Sequence, residues 1–179
     1  MSSIPKQYQE TIQQFVTEYF ARRRWEIEQA FLGVQIPHLR PEAIYQSALA
    51  DQLTEIARAA NGEMSDDEWT RGVVYEGIQD LMERLFAPPG LTGAYDIPER
   101  FWDTPLGQMV GRAFIWVKGD ELITLTAAAE IRGVSVQAIS QAVRKGRLRH
   151  YIDPDAANPQ KSRTLVSRAD VEADLDIGE

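Results

Sequence analysis

The sequence predicts a mainly α-helical protein, with an N-terminal helical domain followed by a small domain of two short helices and a β-hairpin. Apolar residues recur at three- and four-residue spacing through most of the first 118 residues, as amphipathic helices require. Prolines and glycines stand where these patterns stop. We therefore place an acidic all-helical domain at residues 1–118 and a second, smaller domain at residues 119–179.

The first domain contains four predicted helices. The first carries an apolar stripe along one face, formed by Tyr8, Ile12, Phe15, Val16 and Tyr19. The second begins at Pro41, suited to a first helical turn, and runs without a break to a stop at Asn61-Gly62. The third begins with Ser65 and Glu68 as a capping box and continues through a stripe that includes Trp69 and Val73.

The fourth helix follows a loop rich in proline and glycine, with Thr104 as its cap and Pro105 in its first turn. We assign its apolar stripe to a homodimer contact made by Leu106, Met109, Val110 and Phe114. Gly107 and Gly111 lie four residues apart on the same helix. This spacing indicates either close packing within the chain or a dimer contact.

The second domain opens with a predicted pair of short helices. Thr124 caps a helix over residues 125–132, and Gly133 permits the sharp turn that follows it. Ser135 caps a second helix over residues 135–145. That helix buries Ala138, Ile139, Ala142 and Val143, together with Ile131 of the first helix, and turns polar residues outward. A polar outer face on the second helix of such a pair suits the DNA major groove.

A β-hairpin and a last helix complete the second domain. Residues 149–152 and 163–166 have strand character, and a turn rich in proline, asparagine and aspartate separates them. Ser167 then caps a short final helix. This order predicts a winged helix-turn-helix with its wing at residues 150–166.

The run "LITLTAAAEIRGVSVQAISQAVRKGRLRHY", followed by "RTLVSRADVEADL", resembles the DNA-binding domain shared by phage excisionases and MerR-type regulators. The resemblance covers residues 122–175 and does not reach the helical domain. Ala127 stands where the family often has a capping glutamate. The Arg-Tyr-Tyr run of MerR regulators is absent, and the domain is C-terminal here, so metal or drug sensing is not carried over.

The resemblance implies a set of DNA-contacting residues. The recognition helix would present Ser135, Gln137, Ser140, Gln141 and Arg144 to the major groove, with Lys145 at its end. Arg147 and Arg149 would contact the DNA backbone, and Lys161 and Arg163 would bring the wing to phosphates or the minor groove. Glutamine can pair with adenine and arginine with guanine through two hydrogen bonds.

The charge distribution agrees with this assignment. The formal net charge is −8, but eight basic residues and only two acidic ones lie in residues 131–168. Screening confines the field of exposed charges to about 8–10 Å, so a local concentration outweighs the average. The run Arg22-Arg23-Arg24 is either a second nucleic-acid patch or a solvated helix face, and the flanking glutamates favour the latter.

Other functional classes lack support in the sequence. There is no cysteine, and no nucleotide-binding, serine-hydrolase or HExxH motif occurs, so we predict no enzyme, no cofactor and no metal site. No apolar run approaches the ~18 residues of a membrane span, so we expect a cytoplasmic protein without a membrane partner.

The sequence thus predicts a homodimeric, sequence-specific DNA-binding protein, with double-stranded DNA as its partner and a role in transcriptional regulation. Two alternatives stay open. One is an architectural factor of excisionase type that bends DNA. The other is a non-catalytic adaptor whose helical domain binds another protein or a small ligand.

Overall fold

The computed structural model describes residues 4–31, 33–87, 95–154 and 164–173. It confirms a mainly helical protein with one small antiparallel sheet. The N-terminal part contains α1 (Lys6–Ala30), α2 (Pro41–Tyr45), α3 (Ala48–Ala60), α4 (Glu68–Phe86), a 3₁₀ helix (Glu99–Asp103) and α5 (Pro105–Val117). The C-terminal part contains β1 (Leu122–Thr124), α6 (Leu125–Arg132), α7 (Val136–Arg144), β2 (His150–Ile152), β3 (Thr164–Ser167) and α8 (Arg168–Glu172).

The core of the N-terminal part lies where α3 and α5 pack together, with α1 and α4 on either side. Met109 and Val110 of α5 are fully buried there, and Leu106 is 8% exposed. These residues form most of the stripe that we predicted as a homodimer contact. That placement is wrong, because burying the stripe within its own chain leaves it no surface for a second copy.

The predicted helix over residues 41–60 is two helices, α2 and α3, separated at Gln46 and Ser47. The side chain of Ser47 accepts a hydrogen bond from the backbone N–H of Ala50 at 3.3 Å, which caps α3. Serine competes for backbone hydrogen bonds in this way and therefore favours helix ends over helix interiors. The apolar periodicity continues across the break, so the sequence pattern did not reveal it.

The cap of α4 is Asp67 and not Ser65 as predicted. One carboxylate oxygen of Asp67 accepts from the N–H of Thr70 and the other from its hydroxyl, each at 2.8 Å. The helix therefore begins at Glu68. Trp69 and Val73, which we placed in the apolar stripe, are 77% and 47% exposed.

The Asp67 cap predicts a pH dependence of stability. Hydrogen bonds from the Thr70 N–H, then from the Ser65 and Thr70 side chains, lower the pKa of Asp67 from 3.8 to about 2. A carboxyl group whose pKa is lowered by folding stabilises the folded state at pH values above its pKa in the unfolded chain. That stability is lost as the pH falls from the unfolded-state pKa through the folded-state pKa. We expect the free-energy difference between wild type and Asp67→Asn, from urea unfolding at pH 5 and at pH 3, to shrink at the lower pH. A pH-independent difference would contradict the charged cap.

The sheet has the order β1-β3-β2, with both neighbouring pairs antiparallel. The two hairpin strands, β2 and β3, correspond to the predicted ones within one residue at each end. The third strand, β1, was not predicted. It contributes three residues that pair with β3 from Leu122 opposite Ser167 to Thr124 opposite Leu165.

The two parts of the chain are held together through α5 and the outer edge of β2. The Gln108 side chain accepts from the N–H of Ile152 at 2.9 Å and donates to the carbonyl of His150 at 3.3 Å. Arg112 donates to the carbonyl of Ile152 and, on its other side, to that of Ala60, both at 3.3 Å. Gln108 and Arg112 thus take the place of a neighbouring strand.

An apolar cluster also joins α5 to the sheet. Ile115 of α5 packs with Tyr151 of β2 and Leu165 of β3, and all three are buried. Burial raises the pKa of Tyr151, although the nearby charge of Arg149 opposes the shift. The predicted domain boundary at residues 118/119 falls in the turn that follows α5.

Within the described parts of the chain, no helix combines the length and the apolar character that crossing a membrane would require.

Candidate nucleic-acid interface

The helix pair α6–α7 is built by local capping. Thr124 accepts from the N–H of Ala127 at 3.1 Å, and Ser135 accepts from the N–H of Ala138 at 3.2 Å. Gly133 closes α6 with a φ of 65°, a left-handed conformation that glycine adopts without strain. The predicted caps and turn of this helix pair are therefore confirmed.

The inner face of α7 holds the helix in place. Ile139 is fully buried and Ala142 is 3% exposed, and they pack against Ala128 and Ala129 of α6. Small residues on α6 allow the two helices to approach closely. Ile131, which we predicted to face inward, is 42% exposed and lies outside this core.

The outer face of α7 presents the predicted reading residues together. Gln137, Gln141 and Arg144 are exposed, Ser140 is half-buried, and Ser135 is exposed at the N-terminus. Residues at positions i, i+3, i+4 and i+7 of a helix share one face. This face therefore carries two amides, a hydroxyl and a guanidinium, without an acidic residue.

The basic residues at the end of α7 carry free charge. Arg144, Lys145 and Arg147 are exposed, and none forms an ion pair with an acidic residue in the described ranges. Some arginines elsewhere form ion pairs, for example Arg22 with Glu26 at 3.0 Å and Arg58 with Glu55 at 3.1 Å. Exposed cations without a carboxylate partner among the described residues are available to an external anion.

Arg149 is held differently from these neighbours. Its guanidinium carbon lies 4.6 Å from the centre of the Trp102 ring, a cation–π contact with the N-terminal part of the chain. Arg149 is still exposed to solvent. The residue thus joins the two parts of the chain at the margin of the candidate interface.

The predicted wing contacts Lys161 and Arg163 lie outside the described residues, as does most of the turn between β2 and β3. Of the ten predicted DNA-contacting residues, the structure places eight, all on or next to α7. It brings Ser140 and Arg144 to one side of a cleft of about 600 Å³.

The other side of this cleft is formed by residues that the sequence did not suggest. Glu99, Trp102 and Asp103 of the 3₁₀ helix line it together with Arg144. Two carboxylates therefore border the face that carries the free cations. The one sequence signal for this segment is its aromatic content, with Phe101 and Trp102 side by side, which indicates anchoring to the helical domain. Phe101 does pack on Phe86, with ring centres 5.1 Å apart.

Comparison of the chain with protein-family models, with curated proteins and with solved structures finds no match. The described residues also contain no cluster of histidine and acidic side chains that could hold a metal ion.

Proposed function

We propose that the protein binds double-stranded DNA in a sequence-specific manner, with α7 in the major groove, and that it acts as a transcriptional regulator. The observation that carries the proposal is the outer face of α7. There Gln137, Gln141 and Arg144 are exposed together, followed along the chain by Lys145 and Arg147, which form no ion pair with the residues that the structure describes. Amides and guanidinium groups are the side chains that read adenine and guanine, and free cations bind phosphates.

The arrangement around α7 supports the same proposal. The helix pair α6–α7, the β2–β3 hairpin and α8 follow one another in the order of a winged helix-turn-helix, and β1 adds a third strand to the hairpin. In this assignment the hairpin is the wing, and its turn, with Lys161 and Arg163, approaches the backbone or the minor groove.

The acidic border of the cleft adds a specificity element to the proposal. Glu99 and Asp103 would repel phosphates that approach α7 from the side of the 3₁₀ helix. DNA would therefore enter from the side of Lys145 and Arg147. Repulsion of this kind also weakens non-specific binding, which depends on phosphate contacts alone.

Selection of genomic fragments by the purified full-length protein, read by sequencing at moderate salt, tests the proposal. We expect a short enriched motif. Arg144→Ala should weaken binding to that motif about 5- to 150-fold, because a bidentate arginine contact contributes ~1–3 kcal/mol. Lys145→Ala should weaken binding to all DNA sequences alike. It should also reduce the salt dependence of the binding constant by about one phosphate contact.

Arg22→Ala is the matched control, since it removes one positive charge from an exposed residue far along the sequence from α7. It should leave the enriched motif and its affinity unchanged. The absence of any enrichment, or equal losses for Arg22→Ala and Arg144→Ala, would overturn the assignment of α7 as the reading helix. A loss for Arg22→Ala alone would instead favour the nucleic-acid patch at residues 22–24.

The same selection separates a dimeric regulator from an architectural factor of excisionase type. One small module buries ~600–1,000 Å² on DNA, which favours the use of two copies. Inverted half-sites would indicate a two-fold homodimer, and tandem sites would indicate cooperative architectural binding. The homodimer remains part of the proposal, with its contact outside the buried stripe of α5.

A further inference from the structure

A second cavity shares no lining residue with the cleft beside α7. It has a volume of about 500 Å³ and lies between the C-terminal half of α1 and residues 36–44, which return along that helix. This volume falls within the range of small-molecule sites. The walls are almost entirely apolar and are formed by Phe20, Ala21, Ile27, Ile36, Leu39 and Ile44.

Besides the hydroxyl of Thr17, the polar groups of this cavity are cationic or are hydrogen-bond donors. Arg23, Arg24 and His38 line it, and no acidic residue does. Arg23 is already engaged, because hydrogen bonds to Tyr19 and then to Glu26 raise its pKa and its guanidinium lies 5.3 Å from the Tyr19 ring. Arg24 is engaged less closely, since the carboxylate of Glu28 lies 3.8 Å from its Nε atom.

The protein supplies hydrogen-bond acceptors to only some of the donors of Arg24. Its Nε atom is enclosed and has no hydrogen-bond partner among the described residues. The nearest carboxylate, that of Glu28, lies 3.8 Å from this atom, and its Oε1 accepts from the N–H of Ile36 at 3.0 Å. Arg24 also donates to Nδ1 of His38. Since arginine has no acceptor atoms, Nδ1 must accept, which leaves the Nε2 atom of His38 as a donor.

We propose that this cavity binds an apolar monocarboxylate, with its carboxylate on Arg24 and His38 and its hydrocarbon part against the apolar walls. The pairing of an apolar cavity with one incompletely bonded guanidinium requires an occupant with the same two properties. A neutral hydrocarbon would leave the exposed part of the Arg24 guanidinium and the Nε2 donor of His38 without an anionic partner. A small inorganic anion would leave the apolar walls in contact with water. The proposal is independent of DNA binding.

Calorimetric titration of the full chain with sodium decanoate, below its micellar concentration and without DNA, tests the proposal. We expect saturable binding of one decanoate per chain. Binding of 1-decanol, which has the same tail and no charge, should be at least 10-fold weaker. Arg24→Met, which keeps a long apolar stem, should weaken decanoate binding at least 10-fold, whereas Arg22→Met on the same helix should not change it.

Two further variants separate a binding role from a structural one. Glu28→Gln removes the carboxylate that competes for Arg24 and should strengthen decanoate binding several-fold. Ala21→Phe fills part of the cavity and should shift the preference toward shorter acids, such as hexanoate, which a general loss of folding cannot do. The proposal is overturned by the absence of saturable decanoate binding, by equal affinity for decanol, or by equal effects of the Arg22 and Arg24 substitutions.

Discussion

Gly107→Ala is expected to destabilise the protein by about 3 kcal/mol, at the upper end of the usual cost of overpacking. A Cβ atom at this position would lie 1.9 Å from the carbonyl oxygen of Phe101 and 2.9 Å from the Cα atom of Trp102. Both are backbone atoms of the 3₁₀ helix, so rotation of a side chain cannot relieve the clash. Thermal unfolding should show a Tm lowered by roughly 6–12 °C.

Gly72→Ala is the matched control. Gly72 also lies within a helix, but no atom comes within 4 Å of a Cβ at that position. Alanine should stabilise α4 there by about 0.5–1 kcal/mol, because glycine loses more backbone freedom on folding. Equal Tm values for the two variants would contradict the close contact between Gly107 and the backbone of the 3₁₀ helix. In the structure Gly107 and Gly111 both lie against residues of the same chain, which favours packing within the chain over a dimer contact for this spacing.

Gln108→Leu is expected to cost about 2–4 kcal/mol, although leucine matches the apolar surroundings and is similar in size. Gln108 is 8% exposed and forms three hydrogen bonds, to the carbonyls of Trp102 and His150 and from the N–H of Ile152. Leucine leaves these backbone groups without partners, and each buried unmet group costs about 1–3 kcal/mol. Urea unfolding measures the total loss.

Hydrogen exchange at Ile152 gives a local readout of the same substitution. The amide of Ile152 should exchange faster in Gln108→Leu than the loss of global stability alone explains. Gln14→Leu is the control, since Gln14 is exposed and bonds only to Glu18. It should change stability by less than about 0.5 kcal/mol. Unchanged exchange at Ile152 in Gln108→Leu would show that Gln108 does not hold the edge of β2.

The features that the sequence predicted correctly depend on neighbouring residues. Thr104, Thr124, Ser135 and Ser167 were each predicted as helix caps, and each side chain accepts a hydrogen bond from the backbone N–H three residues later. Such a cap needs only a short side chain and a following helix, both visible in a few letters. The same holds for the exposed face of α7, which follows from helical periodicity.

The features that the sequence missed depend on distant residues. Gln108 and Ile152 are 44 positions apart, and nothing near either of them indicates that the other is its partner. The three residues of β1 form a strand because β3 lies beside them. The acidic border of the candidate interface was missed for the same reason, since Glu99 and Asp103 reach α7 only through the folded position of the 3₁₀ helix.

The closure of β2 by side chains also affects the solubility of the C-terminal part. An edge strand with free backbone groups can pair with the same strand of another molecule, and this is a common start of aggregation. Here Gln108 and Arg112 occupy the outward groups of β2. They come from the preceding part of the chain, which therefore shields this edge of the sheet from pairing with another molecule. A fragment cut at residue 119 would keep α7 and lose that protection.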